Sequence, residues 1–165
     1  MASAGRNLFA ALPPPAECLG LLIGTAELTI FGIAGLASPA GLATGFGIPL
    51  LAPHTIGSHP GAVEQSTEES EKDIEVRNSQ KALISALAAR NVQNGLLLLW
   101  FGGVMRDRKS LGVVVLTGLI TTATDYLVVS RWGVKEAAGG HLFGVFNCLA
   151  IGGSLLWWNR GDPWY

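Results

Sequence analysis

Four ionisable side chains lie well inside four long apolar stretches, one in each: Glu27, Arg90, Asp125 and His141. A charged side chain in hydrocarbon costs roughly 2.5–3.5 kcal/mol on insertion scales unless it is paired or faces a wet cavity. One such group per stretch, of complementary acid and base type, has the form of a built polar site. The chemistry on offer is proton transfer. An apolar setting favours the neutral form of a carboxyl, which then serves as a general acid. A carboxylate beside Arg or His stays ionised and serves as a base or activates water. Pairing Glu27 with Arg90 and Asp125 with His141 gives two acid–base pairs of unlike strength. Such a set suits protonation of an epoxide or carbonyl oxygen at one end and deprotonation, or water delivery, at the other.

Further polar groups surround these four. Arg90 and Asn94 are i,i+4 and share a helix face, while Gly118, Thr121, Thr122 and Asp125 line another. Asn91 adjoins Arg90. Asn147 is about 120° from His141 around its helix, at 100° per residue, and belongs behind the site or in a helix contact. The expected catalytic set is Asp125, His141, Glu27 and Arg90. Asn94, Asn91, Thr121, Thr122 and Asn147 are the expected substrate-binding residues. Each residue also has a plainer role. Glu27 and Arg90 would form an ion pair that fixes helix register. Asp125 and His141 would be solvated near the interface. The threonines would bond i−4 carbonyls of their own helix, and Asn91 and Gln93 would join helices.

Several chemistries find no support. A Gly-rich phosphate loop with metal carboxylates is missing, which speaks against phosphoryl transfer. A nucleophile elbow for serine acyl transfer is missing too. His54 and His59 sit in a Gly/Pro loop without acidic or Cys partners at metal spacing. Cys18 and Cys148, both in apolar stretches, read as buried thiols. No metal and no cofactor is expected.

The elements that must carry these residues are membrane helices. Only 14 % of the 165 residues are charged and 49 % are hydrophobic, against about a quarter charged in an ordinary soluble domain. The charges are also segregated: six of the twelve acids lie between Glu64 and Glu75, and Arg106, Asp107, Arg108 and Lys109 form a second knot. The fold class is all-α, a polytopic membrane four-helix bundle. Spans are expected at about 15–37, 81–104, 111–130 and 140–158, within a membrane domain over 15–158. Pro15 and Pro39 suit a helix start and stop, and Gly20 and Gly24 give a face for close packing. Residues 1–14 are a lead-in with a poor match to a signal peptide, and 159–165 a tail. The connection 38–80 is apolar but Gly/Pro-broken at first, an interfacial or re-entrant segment over the bundle, then polar and acidic. The net charge of −1 gives no reason to expect nucleic acid.

Counting residues from the loop end puts Glu27 roughly 15 Å deep, Arg90 near 13 Å, Asp125 near 9 Å and His141 within about 6 Å. All four share one half of the membrane, so the expected pocket opens toward the loop 38–80 and closes at the MRDRKS turn. Basic residues are evenly divided between the two sides. The compact MRDRKS turn favours its own side, with both termini, as cytoplasmic.

The ordered segments SALAARNVQNGLLLL, a short basic turn, TTATDYLVV and GGHLFGVFN resemble a family of small four-helix membrane proteins. That family is common in fungi, carries the description of a domain of unknown function and is distantly similar to DoxX-like proteins. Its recurring Ala-Arg-Asn, Asp and helix-opening His match Arg90 with Asn91, Asp125 and His141, and the resemblance covers 15–158. Some members sit in secondary-metabolite gene clusters, which implies a lipophilic polyketide or terpenoid substrate and an endoplasmic-reticulum membrane. The expected function is a membrane-embedded enzyme that opens an epoxide, by hydrolysis or hydrolytic cyclisation. Two alternatives stand beside it: an isomerase or cyclase without cofactor on the same substrates, and a non-enzymatic transporter, proton path or structural subunit. The partners expected are the substrate and the membrane, and self-association into a homo-oligomer is compatible with the Gly-rich faces.

Overall fold

The structure, a computed structural model, describes residues 14–50 and 71–157, with backbone alone for 71–73. The lead-in through residue 13, loop residues 51–70 with His54, His59 and the first acids of the acidic run, and the tail from 158 lie outside the described residues.

Four helices are long and apolar enough to cross a membrane, and the chain is an all-α membrane helical bundle. Helix α1 spans Pro15–Ala37, with Pro15 at its first helical position as its missing N–H allows. Its middle, Glu27–Ile33, winds as a π-helix, a form concentrated at functional sites. Helix α2 is short, Pro39–Gly45, and starts where Ser38 Oγ accepts from Gly41 N–H at 3.4 Å. Helix α3 runs Glu71–Leu99 and ends in a second π-helical turn, Trp100–Val104. Helix α4, Arg108–Trp132, is capped by Asp107, whose Oδ1 accepts from the N–H groups of Lys109 and Ser110 at 3.0 and 3.2 Å. Helix α5 is Lys135–Trp157. Helices α3, α4 and α5 start before the expected limits at 81, 111 and 140. Charged first turns leave hydrocarbon without leaving the helix, because Lys, Arg and Glu are good helix formers.

Successive spans run antiparallel. Pro15, Val104, Arg108 and Trp157 lie at the basic-turn end, and Ala37, Trp132 and Lys135 at the loop end. Helix α1 packs on α3, and α4 on α5. At Gly95 the first pair meets backbone to backbone: a Cβ there would sit 2.5 Å from Leu28 N and 2.7 Å from Gly24 O. Such close approach is the usual device of membrane helix pairs, where the lipid offers no hydrophobic drive.

Two apolar clusters bracket the bundle's middle. Leu98, Leu111, Val115, Ile151 and Leu155 close the basic-turn half. Leu42, Ala43, Ile84 and Ala88 join α2 to α3 in the loop half. The interfacial segment expected over the bundle is therefore, in its described part, a helix packed on α3. Its exit is pinned as well. Gly47 has φ +73°, a left-handed conformation that favours glycine, and its carbonyl accepts from Val134 N–H at 2.8 Å. Trp100, Trp132 and Trp157 are exposed near the helix ends, as interfacial aromatics are.

Candidate functional site

Between the two clusters lies a polar layer contributed by α1, α3 and α4. Its centre is Arg90, whose Nη2 donates to Asp125 Oδ2 at 3.0 Å. Both side chains are part-buried. The pairing differs from the expected one: Arg90 joins Asp125, while Glu27 makes no ion pair with it. The long guanidinium reaches past the expected depth difference to the carboxylate on α4. Glu27 is the first residue of the π-helical segment of α1, which packs on α3, the helix that carries Arg90.

Two atoms of this layer are buried without a hydrogen-bond partner: Glu27 Oε2 and Arg90 Nε. Buried polar atoms are nearly always satisfied. An orphan oxygen and an orphan N–H in one layer are complementary to a ligand that both donates and accepts.

Glu27 opens onto a cavity of about 40 Å³, lined also by Asn94, Thr121, Thr122 and Cys148. Thr121 and Thr122 both donate to Gly118 O, at 2.9 and 2.8 Å. The plainer role of the threonines thus holds for their protons, and their oxygen lone pairs remain to accept. Thr122 Oγ1 is 3.9 Å from Cys148 Sγ. On the loop side, an apolar groove of about 250 Å³ runs between α1 and α2, lined by Ile30, Phe31, Gly35, Leu42, Gly45 and Phe46.

Asn91 is 2 % exposed. Its Nδ2 donates to Phe31 O at 3.4 Å, and its Oδ1 accepts from Arg90 Nη2 at 3.5 Å. It fastens the π-helical segment of α1 to α3 and steadies Arg90. Among the described residues no hydrogen bond or ion pair joins His141 to Asp125. The His141 Nε2 lies 3.2 Å from Phe46 O, and its ring is 5.3 Å from that of Phe46. Phe46 also stacks edge-on against Phe31 at 5.8 Å. His141 lies two turns from the loop end, about as deep as Asp125 on the neighbouring α4, so what separates the two is the direction of the imidazole, which turns to the exit of α2. Asn147 is half-buried and does not line the cavity.

Residues 25–155 match the family described as Domain of unknown function (DUF4267). The chain belongs to that family. No curated protein and no solved structure matches it. The DUF4267 region takes in Glu27, the Arg90–Asp125 pair and the lining of the cavity, and it leaves the first ten residues of α1 outside.

Within those ten residues is a buried acid that the sequence reading passed over. Glu17 is 1 % exposed, and its Oε1 lies 3.1 Å from Arg108 Nε. Arg108 Nη2 also donates to Ser154 O at 2.7 Å. This clasp joins α1, α4 and α5 at the basic-turn end, remote from the DUF4267 polar layer. Its sequence signal is the shared membrane side of Glu17 and Arg108, each in the first turn of its span. Among the described residues, no group of three His, Cys, Asp or Glu is placed to hold a metal ion.

Proposed function

We propose that this chain is a membrane-embedded acid–base catalyst that opens an epoxide on a lipophilic polyketide or terpenoid. Its place would be the endoplasmic reticulum of a cell making secondary metabolites. The observation that carries the reading is the pair of orphan atoms, Glu27 Oε2 and Arg90 Nε, beside the Arg90–Asp125 bond. One cation faces two carboxyls in a low-dielectric layer, and its hydrogen bond goes to Asp125. Neutrality of the set leaves a proton on Glu27, because an uncompensated buried charge costs several kcal/mol.

The set then divides the work. Glu27 passes its proton to the epoxide oxygen as the C–O bond breaks with its electron pair toward that oxygen. Arg90 Nε–H steadies the charge developing there. The oxygen of a water bonds to the carbon, and that water's proton goes to Asp125. Return of the proton to Glu27 closes the cycle, and the sum is epoxide plus water giving a vicinal diol. The apolar groove beside Phe31 offers room for a hydrocarbon part of the substrate, reached from the bilayer. In place of the expected partnership with Asp125, His141 holds α2 through Phe46.

The test is turnover of lipophilic epoxides by protein in lipid nanodiscs. Removal of a group that transfers a proton costs about 10²–10⁴-fold, so Glu27→Gln and Asp125→Asn should each lose at least the lower figure while still inserting and folding. Turnover retained in both variants overturns the reading. One observation favours a second reading: the cavity at Glu27 suits water better than a substrate, as a proton path requires. Proton flux into liposomes that Glu27→Gln abolishes, without epoxide turnover, would establish that alternative.

A further inference from the structure

Glu27, whose Oε2 has no protein partner, lines a cavity of about 40 Å³ with Asn94, Thr121 and Thr122 on the other walls. A void of roughly 10–15 Å³ is enough for one water, given two to four polar partners. Size and lining both meet that condition. The threonine protons are committed to Gly118 O, so the hydroxyl oxygens offer acceptors, and the Asn94 amide offers a donor and an acceptor. Leu98, Val114 and Val115 form the apolar floor. Dry internal cavities are apolar throughout, and this one is not.

We propose that this cavity is a built internal-water site in which one or two waters bridge Glu27 to Asn94 and the Thr121–Thr122 pair. Thr121 and Thr122 lie one helical turn from Asp125 on α4. Asp125 is outside the lining, one turn beyond it, and the water in the cavity carries back to Glu27 the proton that Asp125 takes up. This role rests on the acid–base reading above, whereas the water site itself does not. The relay transfers a proton only: one O–H bond forms at Glu27 as one is released at the water, which is reprotonated from the Asp125 side.

The test is infrared spectroscopy of the protein in nanodiscs, with the carboxylic C=O band of Glu27 assigned by its loss in Glu27→Gln. Two variants probe the site: Asn94→Leu fills the cavity, and Thr122→Val removes an acceptor at nearly constant volume. The expected result is a wild-type band at the lower frequency of a hydrogen-bonded acid, moving up in either variant, with kcat reduced about tenfold at unchanged KM. A wild-type band at the frequency of an unbonded acid, unmoved in both variants, overturns the site. The absence of any carboxylic band for Glu27 rejects the acid–base reading, and the site is then read from the Glu27 carboxylate band, which overturns it if unmoved in both variants. A hydrated Glu27 in protein that opens no epoxide keeps the site and rejects the catalytic reading. A dry cavity with full turnover rejects the site alone.

Discussion

Gly95→Ala tests whether the α1–α3 contact sets the position of Glu27. The added Cβ would meet Leu28 N at 2.5 Å and Gly24 O at 2.7 Å. Both atoms are backbone, so no side chain can swing away. An ordinary contact starts near 3.4 Å, so α1 must retreat by about 0.9 Å (3.4 − 2.5). Overpacking of this kind costs about 1–3 kcal/mol. The retreat acts at Leu28, the residue after Glu27, and displaces the carboxyl from the Arg90–Asp125 pair. A misplacement of about 1 Å costs a catalyst about 10²-fold. Unfolding in mixed micelles, followed by tryptophan fluorescence, should show the stability loss, and epoxide turnover in nanodiscs the larger functional loss. A Gly95→Ala protein as stable and as active as wild type would refute the reasoning, for then this contact does not position Glu27.

Other outcomes follow from the same geometry. Glu17→Leu removes the carboxylate beside Arg108 Nε while the bond to Ser154 O stays, and should destabilise by about 3–5 kcal/mol, whereas Glu17→Leu with Arg108→Met should recover much of the loss; a double-variant unfolding cycle reads both. The Ser110 hydroxyl, with the Ser110 and Lys109 N–H groups, holds the Asp107 carboxyl below its ordinary value of 3.8. Its contribution is therefore fully present above that value and lost as pH falls through the lower folded value, so Asp107→Asn should flatten the acid limb of the stability profile. Asp107→Ala should cost about 0.5–2 kcal/mol in the same unfolding assay. His141→Leu frees Phe46 O and should speed hydrogen exchange across 39–47, with turnover falling far less than in Asp125→Asn. An equal loss in the two would return His141 to the reacting set.

The positions of the polar residues were legible because hydrocarbon makes each intramembrane charge informative on its own. The first span was likewise plain from Pro15 and Pro39. Which partner each charge takes was not legible. Depth counts treat side chains as points at their Cα atoms, but the guanidinium of Arg90 extends far enough to choose Asp125 over Glu27. The π-helical turn at Glu27–Ile33 has no composition signal, yet it supplies the Phe31 carbonyl that Asn91 takes. Asn91 therefore fastens α1 to α3 at the site, a contact that its place beside Arg90 did not announce. Glu17 escaped notice because an acid in the first turn of a helix has an ordinary explanation in the helix dipole. Only its burial against Arg108 shows otherwise.

Glu27, Arg90 and Asp125 are proposed to add water across an epoxide within the bilayer. Wild-type protein and Glu27→Gln, each in nanodiscs, would be given lipophilic epoxides in ¹⁸O-labelled water and the products read by mass spectrometry. The expected product is a vicinal diol carrying one labelled oxygen from the wild type, with none above background from Glu27→Gln. An unlabelled rearranged product would point to an isomerase, and no product, or equal labelled diol from both proteins, would rule out epoxide hydration by Glu27, Arg90 and Asp125.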